Sequence, residues 1–193
     1  MSYDKGNLTR KRIIESGARV VMAKGYAATT MADLTRAANA SGGKLTHHFP
    51  TKMSLFEAIF ESLLSDFTSG PLARLADRAR PPQERVSGFL DSMYRLYAMQ
   101  HDVVGCPLGH AAADSDGVSP AMREQALKIL QKTARLFENA FCDLGQTPAL
   151  ARANTHVFVS SWQGAVVIAR SGEGLKYVGR VFRSLKEIVK LSQ

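Results

Sequence analysis

The feature that most constrains the fold is a pair of short helical patterns on either side of a three-residue turn. The first pattern places Met31 and Leu34 on one face. The second, at about residues 42–48, carries Leu45 inward, and Asn39-Ala40-Ser41 between them is typical of a tight turn. Two short helices joined this closely need small side chains where they cross, and the alanine-rich sequence around the turn supplies them. The spacing predicts a helix-turn-helix unit.

A longer helix is predicted before this pair, at about residues 9–24, and Gly25 is placed to end it in the left-handed conformation. A helix followed by two short helices is the layout of a DNA-binding helix-turn-helix domain. In that layout the second short helix presents polar side chains to base edges from its N-terminal half. The residues available there are Gly42, Gly43, Lys44, Thr46 and His47, none of which is strongly apolar.

Helical periodicity also runs through the rest of the chain, and we find no convincing strand pattern. Further helices are predicted at about residues 51–64, 83–100, 120–144, 148–170 and 175–191, with glycine or proline between them. The predicted fold class is therefore all-α, with about nine helices and a division near residues 50–70.

The charge is concentrated in the first quarter of the chain. The net charge is +8, and residues 1–55 carry nine Lys and Arg against three Asp and Glu. This excess favours an N-terminal module that contacts a polyanion. No apolar run approaches the ~20 residues of a membrane span. We therefore expect no membrane association. Two cysteines do not make a disulfide framework, which favours a cytoplasmic protein.

Residues 27–56, AATTMADLTRAANASGGKLTHHFPTKMSLF, resemble the DNA-binding domain of TetR-type transcriptional repressors. The Thr-Thr-Met-x-x-Leu start, the Ser-x-Gly turn and the His-Phe-x-x-Lys end fall in register, and the match spans about residues 9–56. The resemblance implies a helix-turn-helix DNA-binding domain in residues 1–55 and a helical ligand-binding and dimerisation domain in residues 56–193. It also implies a homodimeric repressor, released from double-stranded operator DNA by a small-molecule inducer, with no enzyme activity and no cofactor.

The resemblance also implies which residues contact DNA: Thr30, Ser41, Gly42, Lys44, Thr46, His47, His48 and Lys52. Thr30 and Lys52 would hold phosphates, and Ser41 would cap the recognition helix as well as approach a phosphate. Lys44, Thr46 and His47 would face the major groove, with His48 on backbone or base edges. The chain departs from the family at two of these positions, because Tyr is common where Thr46 stands and Lys or Arg where Gly42 stands.

Eight residues of the second domain are candidates for a ligand cavity: Phe89, Met93, Tyr97, Cys106, His110, Phe137, His156 and Trp162. Each of them alone is more often a core residue. No metal site is expected, because His110, Asp114 and Asp116 lack a second cluster at ligand spacing. The helix after Pro148 mixes apolar residues with small ones, and the last helix carries an apolar stripe over residues 175–189; both patterns favour pairing with a second copy.

Cys106 carries an alternative function. Pro107 favours the first position of a helix, which places the Cys106 thiol at the N-cap, where the helix dipole favours its ionised form. The Gly-Cys-Pro-Leu-Gly string at residues 105–109 also resembles one branch of TetR-type proteins, some of which sense electrophiles or oxidants. A thiol sensor on the same scaffold is therefore the alternative function, and a buried structural thiol beside a pocket is the other interpretation of Cys106. A small all-α enzyme with Cys106 as nucleophile and His110 as base is a more remote one.

Overall fold

The computed structural model describes residues 2–99, 105–114 and 116–191, and these form helices without any strand. The helices are α1 (Ser2–Lys24), α2 (Met31–Ala37), α3 (Gly42–His48), α4 (Lys52–Phe67), α5 (Ala73–Ala76), α6 (Pro82–Ala98), α7 (Pro107–Ala113), α8 (Pro120–Asp143), α9 (Pro148–Ile168) and α10 (Gly174–Leu191). The predicted all-α fold class is confirmed. None of the helices in these ranges is long and apolar enough to cross a membrane.

Two π-helical turns join neighbouring helices. The segment Thr68–Leu72 joins α4 to the four-residue α5, and Ala169–Glu173 joins α9 to α10. Pro71 lacks an amide hydrogen, so the α-helical ladder is interrupted there and a wider turn forms. The sequence predicted a break at residues 70–71 but no helix after it. The predicted end of the α6 helix at residue 100 lies outside the described residues.

The chain divides into two compact units. The first contains residues up to Ser65 together with Pro107–Ala126, and the second contains Asp66–Cys106 and residues from Leu127 onward. α7 and the start of α8 thus group with the helix-turn-helix. The predicted domains, residues 1–55 and 56–193, place both helices in the second domain. The carboxylate of Asp114, after α7, accepts hydrogen bonds from the backbone of Tyr26 (3.1 Å) and Ala27 (3.4 Å).

The first unit packs its helices closely around α1. A Cβ added at Gly17 would lie 2.6 Å from Cδ1 of Ile59 and 3.3 Å from Cδ2 of Leu34, so glycine allows α1 to approach α4 and α2. The buried rings of Tyr26 and Phe56 meet edge to face, with centroids 5.4 Å apart. This packing holds α2, the first helix of the predicted helix-turn-helix, against α1.

Aromatic rings fill the centre of the second unit. The Phe89 ring on α6 lies 4.9 Å from that of Phe137 on α8 and 5.2 Å from that of Trp162 on α9. A buried guanidinium, that of Arg85, is held by the Asp143 carboxylate at 2.7 Å. Three helices are therefore joined through one apolar cluster and one ion pair.

Candidate nucleic-acid interface

Local capping sets the geometry of the helix-turn-helix. The hydroxyl of Ser41 at the N-cap of α3 accepts a long hydrogen bond from the Lys44 backbone, 3.4 Å. Asn39 in the turn has φ 46°, a left-handed conformation that asparagine tolerates. Leu34 of α2 and Leu45 of α3 are almost fully buried, so the turn and the core together hold α3 in place.

α3 presents one polar, exposed face. Lys44, Thr46 and His47 are exposed and His48 is half-buried, while Leu45 and Phe49 are buried on the opposite side. The preceding residues, Ser41, Gly42 and Gly43, are also exposed, and a Cβ at either glycine would meet no atom within 4 Å. The N-terminal turn of α3 therefore offers bare backbone, without a side-chain wall, to an approaching molecule.

The hydroxyl of Thr46 is engaged with its own helix. It is placed to donate to the carbonyl of Gly42 (3.1 Å) or Gly43 (3.2 Å). The adjacent rings of His47 and His48 meet edge to face at 5.3 Å. Thr46 has to release this local bond before its hydroxyl can donate to a base or a phosphate, whereas its methyl group is already available for apolar contact.

Thr30 is placed at the N-cap of α2, and its hydroxyl is used by the helix itself. It accepts from the Asp33 backbone at 3.1 Å and donates to the Asp33 carboxylate at 2.8 Å, while the Thr30 backbone also donates to that carboxylate. The ammonium of Lys24, 2.8 Å from Asp33, and the Thr30 backbone hold the pKa of the Asp33 carboxyl well below its usual range. Because the Thr30 hydroxyl is engaged, the groups of α2 that can bind a phosphate are its first backbone amides.

Asp33 was missed by the sequence reasoning, although Thr-x-x-Asp before an apolar position is a capping-box signal. Its carboxylate also lies 3.8 Å from the guanidinium of Arg36. Two cations thus balance the one acid beside the predicted phosphate contact of Thr30.

Two further cations lie above aromatic rings at the edges of this surface. The ammonium of Lys52, the first residue of α4, is 5.0 Å from the centroid of the Phe56 ring. The guanidinium of Arg10 on α1 is 5.0 Å from the centroid of Phe49, which follows α3 directly. Such contacts restrict long side chains without neutralising them, so both charges stay available to a phosphate. Arg10 is not among the predicted DNA contacts.

Comparison with known proteins decides the family. Residues 13–59 match the family model for bacterial regulatory proteins of the tetR family, and residues 82–181 match that of the LmrA/YxaF-like transcriptional regulator C-terminal domain. The chain belongs to the TetR family. It is therefore a DNA-binding transcriptional regulator of the helix-turn-helix class. The branch suggested by residues 105–109 stays a prediction.

Individual relatives agree with this assignment. The chain is 24% identical over 185 residues to the transcriptional repressor DhaR of Mycobacterium sp. (strain GP1), covering 91% of each chain. It is 31% identical over 144 residues to the transcriptional regulator CymR of Pseudomonas putida, covering 75% of this chain and 68% of that one. A crystal structure of a TetR-family regulator from Cytophaga hutchinsonii superposes with a TM-score of 0.69 at 25% identity, covering 96% and 95% of the two chains.

The structure separates two of the eight candidate ligand residues of this TetR-family chain from the others. His156 is exposed on α9, and His110 lies in the first unit, with Nδ1 3.1 Å from where a Cβ of Gly25 would stand. His156 points outward because the neighbouring Thr155 and Phe158 take the inward positions of α9. The remaining six lie in the second unit: Phe89, Met93, Tyr97, Cys106, Phe137 and Trp162.

These six residues are buried together in the aromatic core. The indole of Trp162 donates to the Tyr97 hydroxyl at 3.0 Å, and the amide of Gln163 lies 3.5 Å from the Cys106 sulfur. Burial raises the pKa of Tyr97 well above its usual value, and the nearby Cys106 adds to the rise. The Phe89 ring contacts those of Phe137 and Trp162, so a ligand among these residues would need the core to open. The six ligand contacts remain a prediction.

A Lys44→Ala variant is expected to change which operator sequences this TetR-family chain prefers. Lys44 is exposed on α3, and a lysine in the major groove selects guanine through its O6 and N7 atoms. The measurement is selection of sites from a random DNA pool, with Lys176→Ala, an exposed lysine of α10, as the matched control. A selected profile identical to that of the wild type would remove Lys44 from base recognition.

Proposed function

We propose that this chain is a homodimeric repressor that binds a palindromic operator and is released from it by a small molecule. The single observation that carries the proposal is the polar exposed face of α3, with Lys44, Thr46 and His47 outward and Leu45 buried beneath them. That face, in a family of DNA-binding regulators, has the composition that reads base edges. The name of the relative DhaR supports a repressor over an activator.

In this proposal the base edges and the phosphates have different roles. Lys44, Thr46 and His47 select the sequence, with His48 at the edge of their surface. Lys52, the amides at the start of α2 and the N-terminal turn of α3 bind phosphates, which supplies affinity and salt dependence. The two helix-turn-helix domains of a dimer, related by a twofold axis, bind two half-sites about one helical turn apart.

An exposed apolar stripe on α9 supports dimerisation through that helix. Leu150, Val157 and Gly164 follow one another at intervals of seven residues on α9, and the stripe continues to Val167 and Ile168. The four large side chains are 40–66% exposed, and a Cβ at Gly164 would meet no atom within 4 Å. Large apolar side chains flanking an open glycine suit close contact with the same helix of a second copy.

Release by a small molecule requires different affinities of that molecule for two states of the repressor. A coupling of about 1–3 kcal/mol between ligand and operator is typical and changes operator affinity about 5–150-fold. Residues of α4 and α8 belong to both compact units, so each helix is a covalent route by which a change in one unit can reach the other.

The alternative of a thiol sensor receives no support from the surroundings of Cys106. The side chain is 6% exposed and lies beside the Gln163 amide, so an electrophile in solution has little access to its sulfur. α7 begins at Pro107, directly after Cys106. The alternative of an enzyme receives no support from the relatives, which are named as transcriptional regulators.

The test of the proposed function is retardation of the DNA directly upstream of the gene, at two salt concentrations, against scrambled DNA of the same length. Specific binding that weakens with salt, and that a second half-site strengthens, supports a dimeric repressor. Binding no tighter than to scrambled DNA contradicts it.

A Lys52→Ala variant is expected to bind both operator and scrambled DNA more weakly. The salt slope of the binding constant should fall by about one for each phosphate that the protein no longer neutralises. The physical reason is that Lys52 is a cation at the start of α4, restrained above the Phe56 ring, where it meets the DNA backbone without reading sequence. Lys176→Ala is again the control, and an unchanged slope in Lys52→Ala would refute the phosphate contact.

A further inference from the structure

A groove on the second unit has the size and chemistry of a small-molecule site. It lies between the π-helical turn Thr68–Leu72 with α5 on one side and the C-terminal half of α6 on the other. Its volume is about 530 Å³, within the usual range for such sites. None of the eight candidate ligand residues lines it, so the groove is separate from the aromatic core.

Two arginines give the groove an uncompensated positive charge. Arg74 of α5 has no ion pair or hydrogen bond among the described residues, and its Cβ lies 3.7 Å from the position that a Cβ of Gly88 would occupy. The stem of Arg74 is thus supported by α6 while its guanidinium is exposed. Arg95 of α6 donates to the hydroxyl of Ser92, at 3.0 Å, and Ser92 itself is buried.

The acid that lines the groove does not neutralise these arginines. The Asp77 carboxylate accepts from the Arg80 guanidinium at 3.0 Å and from the Ala79 backbone at 3.2 Å. Asp77 is therefore paired with a cation from outside the lining residues, which leaves Arg74 and Arg95 for an external anion.

The remaining wall is apolar. Pro71 of the π-helical turn, Leu96 of α6 and Met99 at its C-cap line the groove beside the arginines. Met99 is 75% exposed, and an unbranched thioether adapts to apolar groups of different shapes. The groove thus combines a cationic end that suits an oxyanion with a surface that suits hydrocarbon.

We propose that this groove binds an amphipathic oxyanion, a carboxylate or phosphate monoester carried on an apolar body, with Arg74 and Arg95 holding the head group. Guanidinium groups match the two oxygens of such anions with paired hydrogen bonds. The proposal deepens the proposed function, on which it rests for the role of the ligand as the releasing molecule. Binding at the groove itself is independent of that role.

Trp162 provides a reporter of binding. It is the one tryptophan of the chain, and its ring is stacked on that of Phe67 with centroids 6.3 Å apart. Phe67 is the residue directly before the π-helical turn that forms one wall of the groove. A ligand that orders this turn is expected to change the fluorescence of Trp162.

The experiment titrates the full-length protein with decanoate, decyl phosphate and decanol, following Trp162 fluorescence and the heat of binding. We expect at least one of the two anions to bind about tenfold tighter or more than decanol, because hydrogen bonds to a charged head group are stronger than those to a neutral hydroxyl. The double variant Arg74→Gln/Arg95→Gln should lose that preference. Arg78→Gln, an exposed arginine outside the lining residues, should keep it.

The outcomes separate this proposal from the proposed function. Decanol binding as tightly as both anions, or anion binding unchanged in the double variant, overturns the groove as an oxyanion site. Comparing decanoate with decyl phosphate identifies which head group it takes. Operator retardation without ligand tests the proposed function by itself. If anion binding depends on Arg74 and Arg95 but leaves operator affinity unchanged, the site stands and release through it is refuted.

Discussion

A Val157→Asp variant is expected to be monomeric, and its affinity for the operator should fall by about 10²–10⁴-fold, the usual gain from joining two binding modules. Val157 is 61% exposed at the centre of the apolar stripe of α9, seven residues from both Leu150 and Gly164. At a twofold interface the substitution buries a carboxylate from each copy without a partner, which strongly disfavours association. Because the side chain is exposed in the single chain, the helical content should not change.

The measurements are mass by light scattering and operator retardation. Leu127→Asp introduces the same charge at another exposed apolar position of the second unit, on α8, and is expected to remain dimeric. A dimeric Val157→Asp protein would show that the stripe is not the interface. A monomer with wild-type operator affinity would refute the need for two helix-turn-helix domains and with it the palindromic operator.

The helices were predictable because their ends carry local signals. Pro107, Pro120 and Pro148 each occupy the first position of a helix, and α3 has the predicted bounds. The start of α1 was not predictable in this way, since Ser2 precedes a polar stretch with little periodicity. The compact units were not predictable either, because the hydrogen bond from the Tyr26 backbone to the Asp114 carboxylate joins residues 88 positions apart.

The candidate DNA surface was predictable to a greater extent than the ligand site. Exposure on α3 follows from the helical period once Leu45 and Phe49 are assigned to the core. What the sequence does not indicate is that a threonine hydroxyl is already occupied, as it is at Thr46 and at Thr30. The sequence signal for the capping bond of Thr30 was Asp33, three residues later. The signal for the ring contact of Arg10 was Phe49, the aromatic residue that follows α3.

The ligand site was harder to predict because aromatic residues that fill a core and those that line a cavity have the same sequence pattern. Whether space remains between the rings depends on how several helices pack, which the hydrophobic periodicity of one helix does not show. The groove beside α5 was not predicted from the sequence, for a related reason. It depends on Arg74 and Arg95, two ordinary surface arginines until the π-helical turn brings them to one cavity.

A Phe89→Ala variant distinguishes a filled core from a ligand cavity. The ring is fully buried and contacts those of Phe67, Phe137 and Trp162, with centroids 4.9–6.0 Å apart. Removing it should lower the free energy of unfolding by about 3–5 kcal/mol, because both apolar burial and close packing are lost. Urea unfolding at fixed protein concentration, followed by Trp162 fluorescence, measures the change.

The size of that loss shows whether the aromatic core is filled or leaves space for a ligand. Leu127→Ala, at a partly exposed position, should cost less than about 1 kcal/mol and serves as the control. A Phe89→Ala protein that loses as little as the control would mean that the ring faces open space. The aromatic residues would then return as the ligand site. A large loss would instead mean that a ligand has to displace packed rings there, whereas the groove between Arg74 and Arg95 is open without that cost.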